Sequence, residues 1–300
     1  KLVQWVKTLW EKTITINNEI VPVFSGIKIY PTLGFFPFDP SLDAFYKYAS
    51  ENNIPLLFHC TRTGSIYIGK QIENLIPRKP EMIFPETDKL YHAWAVNAKA
   101  EIIARIDRYY EKSWVKNNSK GDNGHACDLF SHPQNYVPIL AKYPNLKICL
   151  AHMGGGQEVE YMNSFGSASC KADKKLKERW EVDNKNWATF IQDIMKIFPT
   201  LYTDISSTNT RLGNKDVLTN IKDWLNTDAA DGTKLGNRIL FGSDYFLTEI
   251  DSSEESLYKD IKNSLPDWYE KMMDQNINDF VNAKNRKIMP IDKSEKKDIA

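Results

Sequence analysis

Five times along this 300-residue chain a short apolar or β-branched run recurs, four of them closing on a polar residue, and helical periodicity lies between the runs. The runs are GIKIYP (Gly26 to Pro31), IPLLFH (Ile54 to His59), LKICLAH (Leu146 to His152), TLYTDIS (Thr200 to Ser206) and RILFGSD (Arg238 to Asp244). Runs without polar alternation suit parallel strands buried on both faces, and parallel strands need crossover connections, usually helices. That pairing leaves two architectures, a (β/α)8 TIM barrel or an open doubly wound sheet. A dinucleotide-binding sheet needs a GxGxxG turn after a strand, and the glycines Gly154 to Gly156 lack that spacing. Polar residues closing strand after strand favour the α/β barrel, whose catalytic groups gather at the C-terminal strand ends. Five βα units are the later part of eight, so the expected fold is a TIM barrel incomplete at its N-terminus.

The helical segments between the runs are legible from their apolar faces. Leu2, Val3, Val6, Leu9 and Trp10 mark one at the start of the chain, which begins at Lys1. Asp39 and Pro40 form a helix start, a capping carboxylate followed by a proline tolerated in the first turn, ahead of Leu42, Phe45, Tyr46 and Ala49. Further helices are expected over Pro133 to Lys142, from Trp187 through Phe190, Ile191 and Ile194 to Phe198, and over Val217 to Leu225. Between Thr61 and Ser131 the alternation breaks. Pro77, Pro80 and Pro85 precede a long helical pattern through Ile102, Ile103, Ile106, Tyr110 and Trp114. Residues 61–131 are read as an insertion in one βα loop, a lid or substrate loop, and Gly154 to Val182 as a smaller one. The whole chain, 1–300, is expected to form one barrel-like domain with a frayed charged tail at 292–300.

Lys plus Arg and Asp plus Glu both number 39, a formal net charge of zero, which gives no electrostatic case for nucleic acid or an anionic membrane. The expected partner is a small molecule, and a homo-oligomer stays open. No apolar stretch is long enough to span a bilayer, and KLVQWVKTLW lacks the pattern of a secretory signal. Cys60, Cys127, Cys149 and Cys170 form no CxxC pair, and Cys149 sits inside an apolar run where a reduced thiol is expected. The resulting expectation is a soluble protein in a reducing, cytoplasmic setting.

Three of the runs end in residues able to work with a metal: His59, His152 and Asp244. On the strand period of two, His59 shares a face with Leu57, His152 with Ile148 and Leu150, and Asp244 with Leu240 and Gly242. All three can then point into one mouth, where Gly154, Gly155 and Gly242 leave room for close approach. A Zn²⁺-type ion held by imidazole and carboxylate lowers the pKa of its water towards ~7, and a nearby His or Asp accepts the proton. A lone strand-terminal histidine is more often a hydrogen-bonded structural residue. Three such ends together favour the functional interpretation.

At these residues a resemblance emerges. GIKIYPTLGFFPFDPSLDAFYKYASENNIPLLFHC, HPQNYVPILAKYPNLKICLAHMGG, LYTDIS and RILFGSDYF together resemble the amidohydrolase-related family of metal-dependent TIM-barrel hydrolases, over Gly26 to Cys60 and Ser131 to Phe246. The resemblance implies that His59 is a metal ligand, that His152 binds a second metal or activates water, and that Asp244 is both ligand and proton acceptor. It implies a divalent metal, Zn²⁺ first, and catalytic roles for Asp244 and His152. Lys28 falls on the strand where binuclear members place a bridging lysine or glutamate, and a substrate-binding or structural lysine is the alternative. The implied activity is hydrolysis of an amide, lactone or ester-like bond by metal-activated water, with non-oxidative decarboxylation as the alternative. A non-catalytic barrel is the rival from another class. The family's HxH pair has no counterpart, because no His-x-His occurs in the sequence and His59, His92, His125, His132 and His152 are all isolated. An N-terminally truncated chain is the expectation this raises.

Other candidates follow from the residues. Arg62, in HCTRTG, suits the carboxylate of an anionic substrate, or is a solvent-exposed loop arginine. His125, Cys127, Asp128 and His132 lie close in GHACDLFSHP but match no standard zinc spacing, and His132 before Pro133 is better placed to cap a helix or line the mouth. Asp204 and Ser243 are candidates for orienting the ligands. Trp94 and Trp114 read as core of the insertion.

Overall fold

The computed structural model describes residues 1–62, 72–87, 89–112, 123–167, 174–183, 185–244 and 253–281. Trp114, Cys170, Phe246 and the 292–300 tail lie outside these. The chain opens with α1 (Leu2–Trp10) and an antiparallel hairpin of β1 (Thr13–Ile16) and β2 (Glu19–Pro22). Asn17 and Asn18 turn the hairpin at φ 50° and 67°, the left-handed conformation that a tight two-residue connection demands and that asparagine tolerates. Then come β3 (Ile27–Ile29), α2 (Asp43–Glu51) and β4 (Leu56–Phe58), followed by α3 (His92–Glu111), α4 (Asn123–Ser131) and α5 (Val137–Lys142). After β5 (Ile148–Leu150) follow α6 (Gly156–Glu160), α7 (Lys174–Asp183) and α8 (Trp187–Ile197). The last elements are β6 (Leu201–Asp204), α9 (Lys215–Asn226), β7 (Ile239–Leu240), α10 (Glu254–Ser264), α11 (Pro266–Glu270) and α12 (Asn276–Val281).

Strands β3 to β7 form one parallel sheet in chain order, as the five runs require. Among the described residues this α/β sheet stays open, five TIM-barrel-type strands connected through helices, an incomplete barrel, with α12 packed on the face opposite the main core. The helices form for the reasons their sequences give. Asn186 caps α8 by accepting from Thr189 N at 2.9 Å, and Asn214 caps α9 by accepting from the backbone of Asp216 and Val217. Their apolar stripes, Trp187, Ile191 and Ile194 on α8 and Val217, Ile221 and Trp224 on α9, are buried, at about 1.5–3 kcal/mol for each large side chain. Asp39 accepts from Ser41 N at 2.8 Å at the start of the turn that leads into α2. The segment between β4 and α5 contributes a second core, in which Phe36 and Phe38 pack with Ile102, Ile106 and Phe130. Among the described residues no helix is long and apolar enough to cross a membrane.

Register decides which side chains face the concave side of the sheet. Lys28 pairs with Leu57, Leu57 with Cys149, and Cys149 with Tyr202, while Asp204 pairs with Leu240. Cys149, Tyr202 and Leu240 accordingly cluster with Leu57 and with Phe280 of α12, whereas Ile148 and Leu150 join the core on the other face. This corrects the face expected for β5, since strand period alone would carry His152 to the helix side with Ile148 and Leu150. The chain instead leaves β5 in a short helical turn, Ala151–Met153, with His152 at φ 69° and Met153 at φ 53°. That swivel brings His152 back to the mouth.

Candidate metal centre

His59 ends β4, and its backbone N–H still bonds to Ile29 O at 3.0 Å, so the strand geometry fixes where its ring emerges. Tyr30, one residue beyond β3, stacks on the ring with centroids 5.2 Å apart and planes at 22°. The His152 ring meets His59 edge-on, with Nε2 of His152 3.3 Å from Nδ1 of His59. Both histidines are buried, at 8% and 4% exposure. The loops behind them are tied together by a parallel bridge between Thr61 and Gly154, and a Cβ on Gly155 would stand 2.7 Å from Thr61 Oγ1. Gly155 has φ 114°, so a side chain there is excluded by conformation and by space.

Behind His152 stands β6. Its Nδ1 lies 2.8 Å from Ser206 Oγ and 3.1 Å from Ser206 O, and Thr208 Oγ1 donates to the His152 carbonyl at 2.9 Å. Ser206 Oγ donates in turn to Asp204 Oδ1, which also accepts the backbone N–H groups of His152 and Ser206, each at 3.0 Å. Burial pushes the Cys149 thiol well up, with the Asp204 carboxylate adding to the effect, so the thiol keeps its proton and donates to Asp204 Oδ2 at 3.7 Å. Asp244 lies on the same rim, half-buried, at φ 53°. Ser207 also has a positive φ, 60°. Left-handed backbone at four non-glycine residues around one mouth, His152, Met153, Ser207 and Asp244, costs about 1–3 kcal/mol each, and such strain clusters at functional sites. Burial raises the Tyr30 hydroxyl above its ordinary value, and the Asp244 charge adds to the shift.

Two nitrogens that share a tetrahedral zinc at bonds of about 2.05 Å sit about 3.3 Å apart. The His59–His152 spacing is the length of that edge. Among the described residues no set of three His, Cys, Asp or Glu side chains converges closely enough to hold an ion, so Asp244 shares the mouth without closing on the pair. Lys28 is exposed on the face of β3 that continues to the mouth, with its ammonium 5.2 Å from the Tyr30 ring centre.

Arg62 departs from expectation. Its side chain is 2% exposed, and Nε donates to Glu158 Oε1 at 2.6 Å while Nη2 donates to Asp183 Oδ2 at 2.8 Å and to Lys185 O at 2.6 Å. The guanidinium lies over Trp187, 4.5 Å from the ring centre. A guanidinium so committed is shielded from solvent with its charge met inside the protein, and the cavity beside it, about 10 Å³, has room for a single water. His132, fully buried, accepts from Gln134 N at 3.0 Å through Nδ1 and caps the turn that begins at Pro133. Its Nε2 donates to Asp183 Oδ2 at 2.7 Å. Burial and the nearby Arg105 push the His132 ring down to about 3, so it is neutral at pH 7. Burial works against ionisation of Asp183, but the His132 hydrogen bond and the guanidiniums of Arg62 and Arg105 overcome it and hold that carboxyl far below its usual range. Tyr30, Ser206 and Thr208 were not singled out in the sequence. Their one local signal is position, within four residues of a strand end.

A parallel α/β sheet with a histidine pair at the C-terminal ends of neighbouring strands defines the class, a TIM-barrel-type protein with a ligand mouth at those ends. The amidohydrolase family model matches residues 20–280, and the chain belongs to that family. No curated protein matches it. Among solved structures it is similar to a TIM-barrel protein from Bordetella bronchiseptica, at 13% identity over 86% of this chain and 58% of that one, TM-score 0.38. It is also similar to 2,6-dihydroxybenzoate decarboxylase from Rhizobium (12% identity, 82% of this chain, 56% of that one, TM-score 0.36). A third is a dihydroxybenzoic acid decarboxylase from Polaromonas with bound manganese and the inhibitor 2-nitroresorcinol (15%, 93%, 61%, TM-score 0.35). The chain therefore spans about three fifths of the length of these structures.

Proposed function

We propose that this protein is a metal-dependent hydrolase of the amidohydrolase type, acting on an amide, lactone or ester-like bond of a small molecule. The observation that carries the proposal is the 3.3 Å approach of His59 Nδ1 and His152 Nε2 at the ends of adjacent parallel strands. His59 and His152 would hold the ion, with Asp244 as the carboxylate of the set, and an imidazole set suits Zn²⁺. When bound, such an ion supplies Lewis acidity and brings the pKa of water towards ~7. Tyr30 covers one face of His59 and keeps bulk water off it. Asp244, at the half-buried end of the last strand run, is the proton acceptor of the mouth. Lys28, exposed on the same side, is placed to meet an anionic group of the substrate. Residues 61–131 then serve as the substrate loop of one domain spanning 1–300. The buried thiols Cys60, Cys127 and Cys149 suit a reducing cytoplasmic compartment.

Elemental analysis and zinc titration of the chain, beside a His59→Ala control, test the proposal. About one equivalent of metal, lost in the control, supports it. No retained metal in either protein overturns it. With metal present, water incorporated into two product halves identifies hydrolysis, whereas release of carbon dioxide identifies the decarboxylation alternative instead.

A further inference from the structure

The hydrogen bonds behind His152 fix more than its position. Asp204, 5% exposed, has a carboxylate that can only accept, and one of its oxygens takes the Ser206 hydroxyl together with the N–H groups of His152 and Ser206. With its single hydrogen directed at Asp204, the Ser206 hydroxyl has only lone pairs left for its other neighbour, His152 Nδ1 at 2.8 Å. The Ser206 carbonyl, 3.1 Å from the same nitrogen, can also only accept. Two acceptors facing one ring nitrogen require that nitrogen to carry hydrogen.

We infer that Asp204 and Ser206 are positioning residues that lock His152 as the Nδ1–H tautomer, with its Nε2 lone pair aimed at His59 Nδ1, 3.3 Å away. In the metal-free protein the hydrogen of that contact belongs to His59. An ion taken between the two rings then requires His59 to move its hydrogen to the far nitrogen, while His152 is already set. The direction runs one way, from Asp204 through Ser206 and His152 to His59. His132 supplies an internal contrast, because Gln134 N–H donates to its Nδ1 and fixes the opposite tautomer, Nε2–H. The local sequence could not show this, since 54 positions separate His152 from Ser206.

The zinc arm of the test rests on the metal proposal above, and the tautomer arm does not. The five histidines are labelled with ¹⁵N in protein stripped by chelator, and two-bond ¹H–¹⁵N correlations read each ring, assigned through ring-to-backbone connections that need no variant. The expected result is His152 as Nδ1–H and His132 as Nε2–H in the same spectrum. In Asp204→Ala the acceptor is gone and the Ser206 hydroxyl is released to donate to Nδ1, so the Nε2–H form of His152 gains population and zinc affinity falls about 10–100-fold. Ser206→Ala keeps the carbonyl acceptor, so it keeps the tautomer and loses less zinc affinity than Asp204→Ala. His152 found as Nε2–H in the wild-type protein overturns the inference, as does a folded Asp204→Ala variant with tautomer and zinc affinity unchanged. If His152 is Nδ1–H and zinc does not bind, the relay stands and the metal proposal falls. If zinc binds and His152 is Nε2–H, the reverse holds.

Discussion

Replacing Arg62 with methionine keeps an unbranched apolar stem and removes one positive charge from a place where two carboxylates depend on it. Glu158 would keep the Trp180 Nε1 and Trp187 N donors, at 2.6 and 2.7 Å, both neutral. Asp183 would keep Trp187 Nε1, His132 Nε2 and the more distant Arg105 guanidinium at 3.8 Å. The penalty therefore falls mainly on Glu158, a buried carboxylate left without a cation. Two lost hydrogen bonds between charged groups, at about 1.5–3 kcal/mol each, and the usual cost of breaking a buried pair, about 3–5 kcal/mol, agree on roughly 4 kcal/mol. Unfolding entropy near 2.1 cal/mol/K per residue gives about 0.6 kcal/mol/K for this length, so Tm should fall by roughly 6 °C. Scanning calorimetry reads it directly. The double variant Arg62→Met with Glu158→Gln removes the stranded charge and should recover about 1–3 kcal/mol of the loss. Lys259→Met, from a pair with both side chains more than two-thirds exposed, is the control and should move stability by less than about 0.5 kcal/mol. A Tm fall under about 2 °C in Arg62→Met, or a double variant no better than the sum of the singles, would show that the cluster is solvated and refute the reasoning.

Other outcomes follow from the same geometry. His132 has its folded pKa pushed down to about 3 from 6.5, so below pH 6.5 the unfolded chain binds a proton that the native state refuses, and stability falls as pH falls. Between pH 7 and 4 this amounts to roughly 3 kcal/mol, and Asp183, depressed in the fold, adds to the loss as pH drops below about 4. Urea midpoints at three pH values measure the slope, and His132→Gln should flatten it between pH 7 and 4; an unchanged slope counts against a buried neutral ring. Gly155→Ala forces a side chain into φ 114° and to 2.7 Å from Thr61 Oγ1, so it should cost about 1–3 kcal/mol and weaken zinc binding by parting the two histidine loops. A Gly155→Ala protein with wild-type Tm and zinc affinity would show that the Thr61–Gly154 bridge is not what holds them together.

Much of the fold was legible because burial leaves a local trace. The five apolar runs became five parallel strands in the order written, and the helix faces through Trp187 and Val217 were buried as their spacing required. The polar ends of two runs also meet, since the His59 and His152 rings are in contact. The burial of Arg62 was not legible because HCTRTG is polar in sequence, whereas its partners come from 96 and 121 positions downstream. The hairpin at Thr13 to Pro22, turned by Asn17 and Asn18, was passed over although an asparagine pair between β-branched runs is a turn signal.

By itself the sequence determined which segments are strands and helices and which residue types close them, because periodicity records the burial of each side chain one position at a time. The tertiary structure decided register and direction. Cys149, not Leu150, lies beside Leu57, and His152 regains the mouth only through a left-handed turn. The hydrogen on its ring is set by Ser206 and Asp204 from the neighbouring strand. Such facts depend on which strand stands next to which, and pairing across a parallel sheet joins residues too far apart along the chain for any local pattern to carry it.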